Sequence, residues 1–453
     1  MTANNKSTSG KSEAFDHVAR LANSHFQIVD GELNVAGIPV SQLVAEYGSP
    51  LYVYNEDVIR KTVQSVQSIL PPDFDLYYSI KANPNASLLK IMLDQNLGLE
   101  VASEGELFQA LKAGCAAGHI IFAGPGKTEK DLVAAVDAGI GELHVESIDE
   151  AITLSRICES RSKQLDISLR INPTDAAGGA MRMGGRPSPF GIDEESLDES
   201  LSAISKLPHL NVVGVHLFMG TQILDTDVLL QQYQRALALA RQVASNLQTP
   251  LRSIDMGGGW GTPYFPKERV LDLGKVSTAL QQIHHEIKHD DLLRQCRAII
   301  EPGRFLVNEA GLYLSRVTRV KHSRGKVFVV IDGGMHHHLA ASGNLGQTIK
   351  RNFPVAIATR MNHPNPILSE VVGPLCTPLD TLARAALLPP ASEGDIFCVF
   401  QSGAYGRTSS PHHFLSHATP PEILVSDAKS TLIRRRGDNH DLYIDQILPV
   451  ANP

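Results

Sequence analysis

The sequence predicts an α/β fold followed by β structure: a (β/α)8 TIM-like barrel and a C-terminal β-sandwich or β-barrel domain. First, short apolar runs of β type alternate with amphipathic, helix-length segments between residues 50 and 301, as a barrel of eight β-then-α units requires. Second, polar residues gather where these runs end. Third, helical periodicity becomes sparse after residue 305, where prolines and glycines separate alternating strands.

The predicted barrel strands are Leu76–Ile80, Leu97–Val101, His119–Phe122, Glu142–Val145, Ile167–Ile171, Val212–His216, Ser253–Met256 and Ala298–Glu301. Between them, segments such as Ala102–Ala113 and Leu229–Ala244 carry apolar residues three and four positions apart, which is typical of helices that bury one face. A doubly wound open sheet is the alternative architecture. It requires a glycine-rich loop after its first strand, and none follows Ile80.

Composition changes divide the chain into four segments. Residues 1–14 are polar without an apolar core, which predicts a disordered tail rather than a secretion signal. Residues 15–48 contain an apolar run predicted to form a hairpin strand that joins the β domain, 49–305 form the predicted (β/α)8 barrel, and 306–453 form the C-terminal β domain. The strands predicted in that domain are Leu312–Val320, Val327–Ile331, Ile396–Phe400 and Glu422–Val425.

Composition also excludes several classes of partner. The chain of 453 residues has a net charge of −7 and no sustained basic run, so we expect no binding to nucleic acid or to an anionic membrane surface. No apolar segment approaches the roughly 20 residues that span a bilayer. The five cysteines are scattered and odd in number, which predicts a cytoplasmic protein without a disulfide framework.

Lys81 ends the first predicted strand, in the segment Tyr78-Ser79-Ile80-Lys81-Ala82-Asn83. A lysine at the end of a buried strand loses hydration, so its amine becomes less basic or acquires an acidic partner. Such an amine attacks carbonyl groups and can hold pyridoxal phosphate (PLP) covalently. Taken alone, this position is more often occupied by a solvated surface lysine. The residues at the other strand ends favour a lysine that holds PLP.

Other reactive or charged side chains lie at the same ends of the predicted strands. Glu100 lies in the second strand, Arg170 lies in the fifth, and His216 ends the sixth. Gly257–Gly259 follows the seventh strand, where backbone N–H groups can approach a phosphate, and Arg304 follows the eighth and adds a permanent charge. A glycine triplet alone is more often a flexible turn. The shared position of these residues predicts one site at the carboxyl end of the barrel.

Glu301 closes the eighth strand and indicates the type of reaction. A carboxylate beside the pyridine nitrogen of PLP keeps that nitrogen protonated, which makes the ring a strong electron sink for a carbanion. An arginine there would suit racemisation, so the acid favours decarboxylation. A structural ion pair between Glu301 and Arg304 explains the local sequence equally well.

Seven motifs, in one order along the chain, resemble those of a known family. They are Tyr78–Asn83, Gly98–Leu107, Phe190–Asp193, Gly214–Gln222, Gly257–Gly259, Glu301–Arg304 and Gly403–Gly406. The chain resembles the fold-type III PLP-dependent decarboxylases of the diaminopimelate/ornithine decarboxylase superfamily, from about Phe26 to Val425. This resemblance implies the same barrel and β domain, PLP as cofactor and a homodimer with shared active sites.

The resemblance also implies a role for each matching residue. Lys81 would hold PLP covalently, Glu301 would face the pyridine nitrogen, and Cys376 of a neighbouring subunit would help to protonate the product. The residues implied to bind PLP are Lys81, Glu100, Arg170, His216, Phe218, Thr221, Gly257, Gly258, Gly259, Glu301, Gly303, Arg304 and Tyr405. Phe218 stands where the family often has a stacking histidine, and a phenyl ring can stack as well.

Thr377 is the departure from the family that bears on the substrate. Members that act on basic amino acids carry an acidic residue directly after the cysteine, where it contacts the distal ammonium; here that residue is Thr377. A hydroxyl does not replace the charged hydrogen bond, which is worth roughly 1.5–3 kcal/mol. Free lysine, ornithine and diaminopimelate are therefore disfavoured. Asp380 is a second candidate substrate contact, in a shifted register.

Gly373–Asp380 and Ser402–Gly406 are most similar to a branch associated with exopolysaccharide and natural-product biosynthesis. Some of its members act on aminoacyl groups tethered to a carrier protein. We therefore expect a PLP-dependent decarboxylase that removes the α-carboxylate of an amino acid or of a carrier-tethered aminoacyl group. Diaminopimelate decarboxylase is the first alternative, followed by an amino-acid racemase and by a non-catalytic regulator on the same scaffold.

Three consecutive histidines, His336–His338, suggest a metal site at first sight. Neighbouring residues of a strand point to opposite faces, so three in a row on a strand cannot bind one ion. We expect no metal, and we expect His412, His413 and His417 to be surface residues.

Overall fold

The computed structural model describes residues 17–174, 181–182, 187–345, 347 and 349–449, and for 181–182 only the backbone. The tail predicted at 1–14 lies outside these residues. The chain forms two compact units. The β unit comprises Met1–Ile59, Tyr264–Glu268 and Val307–Pro453, and the barrel unit comprises Arg60–Pro263 and Arg269–Leu306.

The barrel unit is built on eight parallel strands that pair in sequence order and close on themselves through the fourth and fifth strands. They are β1 (Phe74–Ser79), β2 (Gly98–Val101), β3 (Ile120–Phe122), β4 (Glu142–Val145), β5 (Leu165–Asn172), β6 (Leu210–His216), β7 (Ser253–Asp255) and β8 (Arg297–Ile300). Every predicted barrel strand is present, with ends within two residues of the prediction. The closed parallel sheet confirms the barrel and excludes the doubly wound alternative.

Seven helices follow β1 to β7 in turn. They are α1 (Ala86–Asp94), α2 (Glu104–Lys112), α3 (Glu129–Ala138), α4 (Ile148–Ser160), α5 (Leu197–Ile204), α6 (Thr226–Leu247) and α7 (Leu273–Lys288). Polar N-cap side chains fix where several of them begin: Ser103 accepts from Glu106 N, and Thr128 forms a reciprocal capping box with Asp131. Further helical segments are Glu56–Gln67 before β1 and the single turn Arg304–Val307 after β8.

The described residues of the β unit form two sheets. Gln27–Val29, Glu32–Val35 and Ile38–Pro39 form an antiparallel sheet of three strands, next in sequence to helix Val40–Tyr47. The larger sheet comprises Leu51–Asn55, Gly311–Ser323, Lys326–Ile331, Val355–Ile357, Ile367–Val372, Thr381–Leu388, Ile396–Val399, Glu422–Ser426 and Lys429–Arg434. The predicted hairpin near residue 28 therefore has a sheet of its own, linked by the bond from Leu33 N to Ala358 O at 2.8 Å.

Leu51–Asn55 belongs to the β unit, whereas the sequence places residues 49–59 in the barrel. The reason is long-range pairing: this strand runs antiparallel to Gly311–Ser323 and parallel to Glu422–Ser426. All five of its residues are buried, so its apolar run resembles that of a barrel strand. Among the described residues, no helix has the length and apolar character needed to cross a membrane.

Candidate active site

Lys81 lies in a single 3-10 turn, Ile80–Ala82, which begins where β1 ends. Its Nζ lies 2.8 Å from Oε2 and 3.1 Å from Oε1 of Glu100, which β2 places in register with Ser79. Burial alone would raise the pKa of Glu100, but Lys81 and a hydrogen bond from Ser79 outweigh it, and the net shift of the pKa is downward. An ionised, buried carboxylate therefore holds the lysine amine.

Four buried ionisable side chains, from β4, β6, β7 and the residue after β8, meet inside the barrel unit: His144, His216, Asp255 and Glu301. One ligand-type atom of each lies within 4.8 Å of those of the others. The imidazole rings of His144 and His216 have centroids 4.3 Å apart. The sequence identifies His216 and Glu301 but not the other two. Their only signal is a polar residue within or ending an apolar strand.

The protonation of this cluster follows from its burial. Burial raises the pKa of Asp255, and the charge of Glu301 raises it further. Burial also raises the pKa of Glu301, with Glu100 as the next cause. Burial lowers the pKa of His216 well below its ordinary value, and His144 adds to the effect. The histidine is therefore neutral, and the two carboxyl groups tend to retain protons.

Several polar atoms of the cluster make no hydrogen bond within the part of the chain that the structure describes. They include Oε1 of Glu301 and both ring nitrogens of His216. The distance from His216 Nε2 to Glu301 Oε1 is 3.7 Å, which is too long for a hydrogen bond. Buried polar groups are normally paired, so a bound group that offers a donor to Glu301 fits here. A protonated pyridine nitrogen is such a donor, and the residues present therefore fit PLP.

The same donor atoms are also of a kind that transition metals bind. The four groups of the cluster are His144, His216, Asp255 and Glu301, and all are buried. That the chain binds no metal stays a prediction.

The loop after β7 brings its backbone close to other chain segments. Gly257 and Gly259 have φ of 70° and 85°, the left-handed region that favours glycine. A Cβ on Gly258 would lie 2.2 Å from the backbone O of Glu301, so only glycine fits this position. Trp260 follows directly, and its Nε1 donates to Tyr233 Oη at 2.6 Å. The loop is thus a fixed backbone surface of the type that binds phosphate.

Phe218, Thr221 and Gly303 also belong to the barrel unit. A Cβ on Gly257 would lie 3.2 Å from Cδ2 of Phe218, and Thr221 belongs to a two-residue strand that pairs with 181–182. Gly303 packs against Ser79, the residue before the turn of Lys81, and a Cβ there would lie 3.0 Å from Ser79 Cβ. Arg304 begins the single helical turn after β8. That these residues bind PLP together stays a prediction.

Arg170 is engaged by a residue that the sequence analysis missed. Its Nη1 donates to Oε1 of Glu146 at 2.9 Å, and both side chains are buried. Its guanidinium also lies over the ring of Phe190, 5.0 Å from the centroid. Glu146 additionally accepts from the backbone N–H groups of Gly124 and Gly191, each at 2.9 Å. Arg170 is therefore held in place by the loop that follows β4.

Cys376, Thr377 and Asp380 lie on a loop of the β unit between strands Ile367–Val372 and Thr381–Leu388. Cys376 is exposed. Asp380 is buried: Oδ1 accepts from Met335 N at 2.6 Å and Oδ2 accepts from Leu375 N at 2.9 Å. Because both oxygens bind backbone, the geometry favours a structural role for Asp380, and its contact with substrate stays a prediction.

Tyr405 also belongs to the β unit, and its φ of 53° lies in the left-handed region. Its carbonyl oxygen accepts a hydrogen bond from Ser409 Oγ. The side chain is half-buried. Its role in binding phosphate stays a prediction.

The three consecutive histidines lie in a turn of the β unit, not on a strand, and are fully buried. His337 Nε2 lies 3.0 Å from Ala418 O, and His338 Nε2 lies 3.0 Å from Ser402 Oγ. Burial lowers the pKa of His336 and of His338 to about 3. They are neutral core residues. Of the three histidines expected at the surface, only His413 is exposed, and His412 and His417 are half-buried. His412 Nε2 contacts the backbone O of Arg407.

Residues 56–308 match the pyridoxal binding domain of the pyridoxal-dependent decarboxylases. The chain is 38 % identical over 424 residues to the L-glutamyl-[BtrI acyl-carrier protein] decarboxylase of Niallia circulans, covering 93 % of this chain and 99 % of that one. It is 30 % identical over 430 residues to the diaminopimelate decarboxylase of Aquifex aeolicus, with 94 % and 98 % covered. The crystal structure of diaminopimelate decarboxylase from Helicobacter pylori complexed with L-lysine superposes with a TM-score of 0.80 at 28 % identity, over 89 % of this chain and 98 % of that one. The chain belongs to the pyridoxal-dependent decarboxylases.

Proposed function

We propose that this PLP-dependent decarboxylase removes the α-carboxylate of an aminoacyl group held on an acyl carrier protein. The observation that carries the proposal is Thr377 directly after Cys376, where a hydroxyl replaces the carboxylate that would contact a distal ammonium. The relative at 38 % identity, which is named for a glutamyl group on a carrier protein, supports the same substrate class.

The chemistry of the reaction fixes how such a substrate is tethered. Decarboxylation requires a free α-carboxylate and a free α-amine, so the carrier must hold the amino acid through its side-chain carboxyl group. The distal end of the substrate is then an uncharged thioester. A neutral hydrogen-bonding residue such as Thr377 suits an uncharged group, whereas a carboxylate there would be buried without a partner, at a cost of several kcal/mol.

In the proposed mechanism the side chains of the barrel unit bind PLP and control protons. When bound, PLP supplies the electron sink for the carbanion that remains after carbon dioxide leaves. Lys81 would hold PLP through Nζ, and Glu100 would orient the amine of Lys81. Glu301 would hold a proton at the ring nitrogen, which would strengthen the electron sink. Cys376 donates a proton to the α-carbon of the product.

The phosphate and the ring are bound by residues around the carboxyl end of the barrel. We assign the phosphate to backbone N–H groups of Gly257–Gly259 and Gly303 and to the guanidinium of Arg304, because fixed backbone donors and a bidentate cation suit that anion. Thr221 and Tyr405 add hydroxyl donors. Phe218 and His216 would flank the ring, and Arg170 would lie near its hydroxyl.

We also propose that the enzyme is a cytoplasmic homodimer. In this assembly Cys376 and Thr377 of each subunit complete the site of the other. The exposure of Cys376 supports this arrangement, since a proton donor for a neighbouring site must be accessible. The free state of all five cysteines supports a reducing compartment.

The test is to load a carrier protein with glutamate through its side-chain carboxyl group and to incubate it with the PLP-loaded enzyme. We expect the intact mass of the carrier to fall by that of one carbon dioxide. A carrier glutamylated through the α-carboxyl group serves as the control, because it has no free α-carboxylate to lose. An unchanged mass of the first carrier would refute the proposal.

Diaminopimelate decarboxylase is the second candidate function. Identity of 30 % to the enzyme of Aquifex aeolicus and of 32 % to that of Archaeoglobus fulgidus favours it. The residue after the cysteine separates the two candidates, since a free diamino acid presents an ammonium to that position. Release of carbon dioxide from diaminopimelate faster than from the tethered group would favour this second function.

A further inference from the structure

A cavity within the β unit carries positive charge that the decarboxylation mechanism does not use. Its volume is about 510 Å³, and Lys267, Lys350, Arg351 and Arg384 are among its lining residues. None of the described residues that line it is acidic. This volume lies within the range of roughly 300–1,000 Å³ that is usual for small-molecule sites. The charge indicates an anionic ligand.

The wall that carries Arg384 is a β-bulge. In strand Thr381–Leu388 two residues, Arg384 and Ala385, face the single residue Glu370 of the neighbouring strand, and Ala385 has a φ of 45°. Such bulges re-aim side chains and are often found beside functional sites. The Asn352 amide fixes the bulge, because it donates to Arg384 O at 2.7 Å and accepts from Arg384 N at 2.9 Å.

Other residues of the lining combine aromatic rings with a fixed guanidinium. Arg351 lies 3.4 Å above the ring centroid of Phe265 and 3.4 Å from Oε1 of Glu268. The rings of Tyr264 and Phe353 pack with centroids 4.6 Å apart. Because stacking and an ion pair already hold Arg351, little side-chain entropy remains to be lost when it contacts a ligand.

Two of the cations are not neutralised by this network. Within the described ranges, Lys350 and Arg384 make no ion pair, and Lys350 donates instead to the uncharged amide oxygen of Asn344. An arginine and a lysine beside a bulge and an aromatic wall are suited to a phosphate group attached to a partly apolar chain.

We propose that this cavity binds the phosphopantetheine arm of the acyl carrier protein, with its phosphodiester between Arg384 and Lys350. The inference rests on the proposed function, which supplies a carrier-bound substrate. The phosphodiester is a permanent anion, and the methyl and methylene groups of the arm match the rings of Tyr264 and Phe353.

Binding of the arm alone tests the cavity independently of catalysis. Calorimetry would compare phosphopantetheine with pantetheine, which lacks the phosphate, on the PLP-loaded enzyme. We expect phosphopantetheine to bind more tightly, and Arg384→Gln to weaken it by roughly ten-fold or more, the value of a charge-assisted hydrogen bond. Asn352 contacts only the backbone of Arg384, so this variant retains the bulge. Lys321→Gln, an exposed lysine of the same unit, is the matched control.

Several results would overturn the assignment. The first is equal affinity for phosphopantetheine and pantetheine. The second is an equal loss of affinity in Arg384→Gln and Lys321→Gln. The third is binding of inorganic phosphate as tight as that of phosphopantetheine, which would indicate a site for free anions. The thermal midpoint of Arg384→Gln, measured alongside, confirms that the variant is folded. Arg384→Lys, which keeps the charge, should restore part of the affinity.

Kinetics separate failure of this inference from failure of the proposed function. If neither the glutamyl carrier nor glutamyl-pantetheine releases carbon dioxide, the proposed function is wrong, and the binding data still decide the cavity. If both substrates react with equal kcat/KM, the cavity assignment is wrong and the proposed function stands. We expect the glutamyl carrier, whose arm carries the phosphate, to have a lower KM than glutamyl-pantetheine. Arg384→Gln should remove this difference in KM.

Discussion

Lys81 Nζ lies 2.8 Å from Oε2 of Glu100, a carboxylate that is only 1 % exposed. This ion pair is formed by residues at adjacent strand ends, and it places the reactive amine of the barrel unit. Glu100 is buried and ionised, whereas the side chain of Lys81 is 39 % exposed. The carboxylate favours the ammonium form of the lysine, because loss of that proton would leave the carboxylate without compensation.

Glu100→Gln should therefore make the amine of Lys81 available at lower pH. We expect the apoprotein variant to capture PLP covalently at pH values where the wild type reacts slowly. The measurement is mass spectrometry of the Lys81–PLP adduct after borohydride reduction, as a function of pH. Glu104→Gln, a nearby half-exposed carboxylate, should behave as the wild type. Coincident pH profiles for Glu100→Gln and wild type would contradict the role of this pair.

Glu301→Gln should impair decarboxylation far more than PLP binding. The amide keeps the size of the side chain but cannot hold a proton at the ring nitrogen, so we expect kcat to fall roughly 10²–10³-fold. Trp260, the single tryptophan of the chain, follows the glycine loop and lets fluorescence report PLP affinity separately. Glu286→Gln, which makes the same change of charge on helix α7 at the barrel surface, is the control variant. An equal loss of affinity and of kcat would indicate a merely structural glutamate.

Thr377→Asp should shift specificity towards free diamino acids. The new carboxylate can pair with a distal ammonium, and a charged hydrogen bond is worth roughly 1.5–3 kcal/mol, or about 10–150-fold in the ratio of kcat/KM values. The measurement is carbon dioxide release from diaminopimelate and from the glutamyl carrier. Thr381→Asp, four residues along, is the matched control. An unchanged ratio would place Thr377 away from the substrate.

Asp380→Ala should loosen the loop that carries Cys376. The change leaves the N–H groups of Met335 and Leu375 without their acceptor, at roughly 1–3 kcal/mol for each. We expect a lower unfolding midpoint in urea and faster reaction of the Cys376 thiol with a disulfide reagent. Cys376 is the exposed cysteine among five, and Cys376→Ser identifies its signal. Unchanged thiol kinetics would show that Asp380 does not hold the loop.

His336 should make the protein less stable as the pH falls. The pKa of His336 is about 3 in the folded chain; burial is the main cause, followed by the charges of His417 and His412. In the unfolded chain the pKa is about 6.5. The unfolded chain therefore binds the extra proton between these values, and stability decreases as pH falls below 6.5, by about 1.4 kcal/mol per pH unit. The measurement is the free energy of unfolding in urea as a function of pH. Between pH 6 and pH 4, the slope of this free energy against pH should be smaller for His336→Gln by that amount. The exposed His322→Gln should retain the wild-type slope, and a wild-type slope for His336→Gln would contradict a buried neutral ring.

The barrel was predictable because its strands are buried on both faces and therefore appear as short apolar runs between amphipathic helices. Lys81, Glu100 and Glu301 were predictable because they lie at strand ends, which a parallel barrel brings together. Leu51–Asn55 was assigned to the wrong unit, since its pairing with strands far along the chain leaves no local signal.

His144 and Asp255 were missed for a different reason. Both are polar residues in or at the end of apolar strands, and the sequence does not say which polar residue faces the barrel interior. The structural role of Asp380 was equally hidden, because its partners are backbone N–H groups, one of them at the distant Met335. Any residue can supply a backbone N–H group, so such contacts depend on three-dimensional proximity and leave no signal in the type of the partner residue.

The most direct test of the substrate assignment is a competition in one reaction between the glutamyl carrier and free diaminopimelate, each labelled at its α-carboxylate with a different carbon isotope. The ratio of labelled carbon dioxide gives the ratio of kcat/KM values. We expect the carrier-bound substrate to be favoured by at least about ten-fold, since Thr377 offers no charge to an ammonium. Carbon dioxide released mainly from diaminopimelate would contradict the account.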